Sequence, residues 1–402
     1  MLRRPLVVYL DTQDLSRFGD VLRGKADAQH EKLFADLEAR KLAGDVVFPV
    51  TMPLMSELLQ YDAAHRETTF RKAEAVERLC GVHAMPATTR LAAMEVASSA
   101  YESGLVASAP HIEIPSVDRL WFPSLTDTLH DLRDRMHTAA RQSLETSLAD
   151  PSTRQRAELL LETVDWGVEI VELAPEIAAA VGLPTDAVLA SVVPFVRGEI
   201  SSAEASQRML SGISKPSVFV DMYFERSGPM GDLPTWISAA STTVSRYLIA
   251  VRHHIRQSLV AKDKKQVKVL VSRLKPAFRA ISFELAKMSA ADFELSDEII
   301  DAIAADAEAV SRIPSAEIAS AALEAYTLQI LGVTTGGAKI EGSVGGDVLH
   351  AFYLPYVDLW RGDRRFSAML RQALPRYRAR ITGPLTELPK AIEARLASGS
   401  TE

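Results

Sequence analysis

Leu6-Val7-Val8-Tyr9-Leu10-Asp11 is an apolar run of strand length closed by an acid. Strands of a parallel sheet covered on both faces read as continuous hydrophobic runs rather than alternating ones. The same grammar returns downstream in Val46-Val47-Phe48-Pro49-Val50, which leads into Thr51 as a helix N-cap and Pro53 in the first turn. Glu57 lies about one turn inside that helix. Near the C-terminus a helical pattern over 347–354 starts with Asp347, a third apolar strand spans 357–360, and Asp363 stands ahead of a helix over 365–374. Residues 378–382 read as a last edge strand. Residues 30–43 and 70–79 have helical periodicity and stop near Gly44 and Gly81. The alternation predicts an α/β fold, a parallel doubly wound sheet formed by the N- and C-terminal segments. Such sheets carry their chemistry beyond the carboxyl ends of the strands.

Between residues 116 and 342 the pattern is helical, over 154–171, 175–181, 185–196, 202–210, 236–259, 264–288, 296–311 and 315–331. Val218-Phe219-Val220 is the best strand candidate there, and 332–346, rich in Gly and Thr, reads as an exit linker. The expected organisation is a discontinuous α/β domain, residues 1–115 and 343–395, interrupted by a mainly helical insertion domain, residues 116–342.

The 402 residues carry 45 basic and 52 acidic side chains, a net charge of -7. That balance argues against a chain that coats nucleic acid with its whole surface, and leaves local patches open. Arg361, Arg364 and Arg365 surround the last acid. From Arg252 to Lys287 ten basic residues, among them Lys264, Lys265 and Lys268, face only Asp263 and Glu284. Both stretches read as phosphate-binding surfaces; the plain alternative is an exposed basic helix face for the first and, for the second, pairing with Asp292, Glu294, Asp297, Glu298 and Asp301, which follow it. No apolar run reaches the roughly 20 residues of a membrane span. The basic start, Met1 to Pro5, is followed by too short an apolar stretch for a secretory signal. The single cysteine, Cys80, excludes an internal disulfide and a multi-cysteine zinc site. A cytoplasmic protein with no membrane partner is expected.

Asp11, Glu57, Asp347 and Asp363 each fall after a strand or at a helix start. If the sheet closes as predicted, all four face one edge. Singly, each also reads as a helix cap or a first-turn carboxylate. Together they make a donor set for a hard divalent cation, Mg2+ or Mn2+, which is held by carboxylate oxygens and water. Beside a phosphodiester such an ion neutralises developing charge and supplies a hydroxide nucleophile. Thr12, Asp14 and His350 are placed as outer partners of this cluster; His350 shares a helical face with Asp347.

These features together resemble the PIN-like nuclease family. The resemblance rests on the strand into Asp11-Thr12, on Thr51-Met52-Pro53-Leu54-Met55-Ser56-Glu57-Leu58, on Asp347 with His350-Ala351, and on Gly362-Asp363-Arg364-Arg365-Phe366. It covers roughly residues 5–100 and 345–385. It implies that the four acids bind magnesium or manganese and support endonucleolytic cleavage, of RNA more often than DNA, leaving a 3′-hydroxyl and a 5′-phosphate. Gln13 stands where the family often has Asn or Ser, and Gly362 where it usually has Thr or Ser. Two other classes fit the same residues: a catalytically silent PIN-like scaffold that binds nucleic acid or protein, and a magnesium-dependent α/β phosphatase. A homo-oligomer or a regulatory protein partner is compatible with each.

Overall fold

The computed structural model describes residues 4–58, 63–111, 113–117, 121–122, 125–147, 150–161, 165–181, 184–211, 215–226, 239–258, 269, 271–332 and 344–398. Strand β1 (Leu6–Tyr9) leads into helices α1 (Thr12–Leu22) and α2 (Ala28–Leu42), and β2 (Val46–Val47) into α3 (Met52–Leu58), α4 (Arg66–Cys80) and α5 (Thr88–Glu102). The central segment supplies α6 (Thr126–Ser147), α7 (Pro151–Leu161), α8 (Trp166–Val181), α9 (Thr185–Val196), α10 (Ser202–Ser211) and α11 (Pro216–Arg226). It continues through α12 (Ala239–Ser258), α13 (Lys275–Lys287), α14 (Asp297–Ala305), α15 (Ala307–Ser311) and α16 (Pro314–Gly332). Helix α17 (Val344–Ala351) returns the chain to β3 (Leu359–Trp360), which is followed by α18 (Arg364–Ala373) and α19 (Leu388–Ser398).

The three strands are parallel in the order β2-β1-β3. Leu6 and Val7 pair with Val46 and Val47, and Val8 and Tyr9 with Leu359 and Trp360. Thus the first and last parts of the chain share one small sheet, within a molecule that is otherwise mostly helical. Side chains of β1 alternate between two cores. Leu6, Val8 and Leu10 enter a cluster with Phe18, Leu37, Leu54 and Leu79; Val7 and Tyr9 enter the other with Leu91, Phe278, Leu323 and Phe352. That is the period of two expected of a strand covered on both faces. The central helices line both cores: Val188, Val192 and Phe219 on one side, Phe278, Ile281 and Ile318 on the other.

Several expected elements differ. Val218-Phe219-Val220 lies inside α11, not in a strand; a three-residue apolar run has no period of its own, and Pro216 at the helix start sets the backbone. Ladder pairing in the second strand stops at Val47, because Pro49 has no N–H to donate; Val50 makes a single parallel bridge to Ala84. The expected edge strand at 378–382 is reduced to one bridge, Trp360 to Ile381, after a 3-10 turn at Pro375–Tyr377. The helix expected over 296–311 breaks at Asp306, whose carboxylate caps α15 by accepting from the N–H groups of Glu308 and Ala309. Helix α8 runs through Pro175, where a separate helix was expected to begin. Most of the expected linker at 332–346 lies outside the described residues. Among those residues, no helix is long and apolar enough to cross a membrane.

A buried carboxyl ties the sheet to the central helices. Glu95 on α5 accepts from the Ser315 N–H at 2.7 Å, in the first turn of α16, and from the Tyr356 hydroxyl at 2.6 Å, just before β3. Burial pushes its pKa up to about 7, against the hydrogen bonds from Ser315 and Tyr356. A carboxyl whose folded pKa exceeds its unfolded one binds more protons when folded, so its contribution to stability falls as pH rises from about 4.5 to about 7. Glu95→Gln should therefore narrow the stability gap between pH 5 and pH 8 by up to about 3 kcal/mol, read from urea midpoints of both proteins. An unchanged gap would show that Glu95 ionises freely in the folded chain.

Candidate metal centre

Because the strands are parallel, the residues that follow them emerge on one edge. Asp11 follows β1 directly and occupies the N-cap position of α1. Glu57 lies in α3, which follows the β2 segment. Asp347 sits in the first turn of α17, a helix that runs back toward the start of β3 and so begins at that same edge. Asp363 follows β3 and caps α18, its Oδ1 accepting from the N–H groups of Arg365 at 2.8 Å and Phe366 at 3.0 Å.

The centre of the cluster is a histidine. Ligand atoms of Asp11, Glu57 and His350 all lie within 4.8 Å of one another. His350 Nε2 is 3.2 Å from Glu57 Oε1, while Nδ1 makes a short hydrogen bond with the Tyr9 hydroxyl. That hydroxyl lies 3.2 Å from Thr51 Oγ1, which in turn accepts from the Leu54 N–H as a helix cap. The imidazole is held from below by an aromatic stack: Tyr9 lies between Tyr353 and Trp360, with interplanar angles of 19° and 17°. The Trp360 indole N–H donates to the His350 carbonyl at 3.0 Å.

Two glycines make room. A Cβ on Gly346 would stand 2.8 Å from Glu57 Oε1, so a side chain there would push that carboxylate out of its present position. A Cβ on Gly362 would fall inside the Trp360 ring. The hydroxyl residue that the family resemblance leads one to expect there has no space, because the indole needed for the stack occupies it.

Electrostatics follow the geometry. Burial raises the pKa of Asp11, with His350 opposing and Glu57 adding to the rise. Burial brings Asp347 to about 7, against His350 and with the charges of Asp11, Glu57 and Asp363 behind it. Asp347 thus feels the other three acids, whereas of the four only Asp11 and Glu57 join the close ligand group, and Asp363 acts on Asp347. Burial also opposes the charge on Glu57, yet His350 holds its pKa below the ordinary value through charge and a hydrogen bond. For His350 burial works against protonation, but Glu57, Asp11 and Asp347 outweigh it and bring the imidazole up to about 9.

Of the outer residues, Thr12 is buried beside Glu57. Asp14 is fully buried, accepts from the Asp11 N–H at 3.4 Å, and pairs with Arg361 at 3.2 Å. Arg361 thus differs from its expected role. It is 5% exposed and turned inward, because its backbone N–H donates to the Tyr9 carbonyl in the sheet and its guanidinium neutralises Asp14. Arg364 and Arg365 are exposed on the first turn of α18. Lys264, Lys265 and Lys268 lie outside the described residues. Gln13 faces solvent. Asp358 marks the opposite edge of the sheet, bound to the Val7 N–H and to Arg4. Sequence reading did not single out Tyr9 or Thr51 as parts of one hydrogen-bonded chain. The available signal was a polar-tipped aromatic ending an otherwise aliphatic strand.

The fold and this cluster define an α/β chain with a half-buried carboxylate and histidine centre at the carboxyl edge of a parallel sheet. Comparison with family models, curated proteins and solved structures found no match.

Removing one partner of a buried ion pair leaves the other charge uncompensated. Arg361→Met should destabilise the chain by about 3 kcal/mol at pH 8, and by less at pH 5. Burial already brings Asp14 to about 7 with Arg361 present, so acid supplies the proton that neutralises it. Urea unfolding at the two pH values measures both; a loss independent of pH would point to packing rather than charge.

Proposed function

We propose that the chain is a PIN-like, divalent-metal-dependent endonuclease acting on RNA, with residues 1–115 and 343–395 as its catalytic body and 116–342 as an insertion. The observation that carries this reading is the meeting of Asp11, Glu57 and His350 within 4.8 Å at the carboxyl edge of a sheet built from both chain ends. Asp347 stands close enough to shift the charge of His350 in that centre, and Asp363 acts on Asp347. The preference for RNA comes from the family resemblance alone.

The donor set fits a divalent cation. Asp11 and Glu57 offer hard oxygen donors, and the buried Thr12 hydroxyl beside Glu57 has lone pairs that receive no hydrogen bond. Asp11 and Glu57 would hold the ion directly, with Asp347 and Asp363 reaching it through water. When bound, the ion supplies charge neutralisation at the scissile phosphate and lowers the pKa of water. Asp347, raised to about 7 by burial and its acidic neighbours, is our candidate for the group that would accept the proton of the attacking water. Arg364 and Arg365, exposed beside Asp363, are positioned to bind phosphates on either side of the cleaved bond. The Asp14–Arg361 pair holds the first turn of α1 against the segment after β3, and so ties the chain beside Asp11 to the chain beside Asp363.

The test is cleavage of a single-stranded RNA by the full chain with Mn2+. Asp11→Asn should lower the rate by roughly 100-fold or more, the scale on which losing a transition-state contact acts. Arg364→Ala with Arg365→Ala should weaken RNA binding and flatten its salt dependence. RNA binding without cleavage would identify a silent scaffold. Turnover of p-nitrophenyl phosphate with RNA left intact would identify a phosphatase.

A further inference from the structure

The Mg2+ or Mn2+ site proposed above was framed in oxygen donors, yet its geometric centre includes a nitrogen. We propose that His350 Nε2 is a direct metal ligand alongside Asp11 and Glu57, making a two-carboxylate, one-imidazole site that selects Mn2+ over Mg2+. This rests on the metal-site reading and specifies its coordination chemistry.

Three observations carry it. First, the spacing suits one ion. Two adjacent ligands about 2.1 Å from an octahedral ion stand about 3.0 Å apart, and opposite ones about 4.2 Å. His350 Nε2 and Glu57 Oε1 are 3.2 Å apart, the adjacent-ligand spacing; the ligand atoms of all three residues lie within 4.8 Å, so the widest pair needs to close by no more than about 0.6 Å to share one ion. Second, the far side of the ring is dressed as a metal-binding histidine requires. Such a residue donates its other N–H to an oxygen, which fixes the tautomer and aims the free lone pair at the ion. Here the Tyr9 hydroxyl is placed to receive Nδ1–H and can pass its own hydrogen to Thr51 Oγ1. Nε2, which donates its proton to Glu57 while no ion is bound, would release that proton on ligating the ion. The stack of Tyr353, Tyr9 and Trp360 and the indole bond to the His350 carbonyl lock that orientation. Third, Thr12 is 8% exposed and its Oγ1 stands at the Glu57 carboxylate, where as a donor it lowers that acid's pKa while its own lone pairs receive no hydrogen bond. A buried hydroxyl in that condition is matched by a ligand or a bound water in the cluster.

The selectivity follows from the donor. Magnesium binds oxygen and water almost exclusively, whereas imidazole suits the first-row transition ions. An inner nitrogen therefore favours Mn2+ at the expense of Mg2+.

The experiment measures binding of the two ions, each alone, to the full chain by calorimetry, with electron spin echo spectroscopy of bound Mn2+. Wild type should bind Mn2+ at least about 10-fold more tightly than Mg2+ and show nitrogen-14 modulation from a coordinated imidazole. His350→Gln keeps a polar group at that position; it should lose the nitrogen modulation and bring the two affinities within about 3-fold of each other, chiefly by weakening Mn2+. Tyr9→Phe removes the partner of Nδ1 and should weaken Mn2+ by about 10-fold while keeping the modulation; it stands in if His350→Gln does not fold. Tight Mn2+ binding without nitrogen modulation in wild type, or an unchanged Mn2+ preference in folded His350→Gln, overturns the histidine ligand and leaves the carboxylate site standing. Failure of wild type to bind either ion, with Asp11→Asn no different, overturns both.

Discussion

Pairing of β1 with β3 joins segments from opposite ends of the chain; Tyr9 and His350, brought together by it, are 341 residues apart. Closing a loop of that length costs about 3 kcal/mol more chain entropy than closing a ten-residue one. Two short strands cannot offset this with hydrogen bonds alone. What holds them is burial of Tyr9, Tyr353 and Trp360 in one stack, each fully buried, with the indole and both phenols satisfied by hydrogen bonds. Large aromatic side chains each remove on the order of 150–250 Å2 from water. The same contact that closes the sheet thereby fixes the floor of the acidic centre. Stability and site geometry are one constraint here, and Gly362 is its signature in the sequence.

Charge at the edge is arranged in two layers. Asp14 and Arg361 neutralise each other under the surface, so the buried pair fastens the first turn of α1 to the segment after β3 without adding net charge to the centre. Above them Asp11, Glu57 and Asp347 share the charge of one imidazole. Carboxylates this close raise one another's pKa unless a cation joins them. A centre so built favours binding of positive charge, and its partial burial strengthens whatever charge it holds.

Much of the fold was legible because strand and helix periods differ. The run ending in Asp11 and the helix with Leu33, Phe34 and Leu37 appear where their patterns place them, and the helix expected from Asp347 to Leu354 appears three residues earlier, from Val344 to Ala351. The parallel sheet from the two ends also appears. Misreadings fell where a pattern was too short to carry a period, as at 218–220, or where one residue overrode it, as Pro49 and Asp306 did. For the site, the four acids could be named from their positions after strands and at helix starts. Their ranking could not be. Asp363 is engaged as a cap, while His350, an outer residue by sequence, lies at the centre.

Arginine shows most plainly where sequence stops. Arg361, Arg364 and Arg365 are chemically alike and nearly adjacent, and one basic patch is the natural reading. The structure turns the first inward to Asp14 and leaves the other two in solvent. The sequence by itself determined the terminal strand runs, which residues are acidic at their ends, and that no multi-cysteine zinc site and no apolar run of membrane-helix length is present. Those properties are local, set by side-chain period and composition. Only the tertiary structure decided which acids meet, that an imidazole stands between them, and which arginine is consumed in the core. Such outcomes depend on contacts between residues hundreds of positions apart, and no local pattern encodes the register that brings them together.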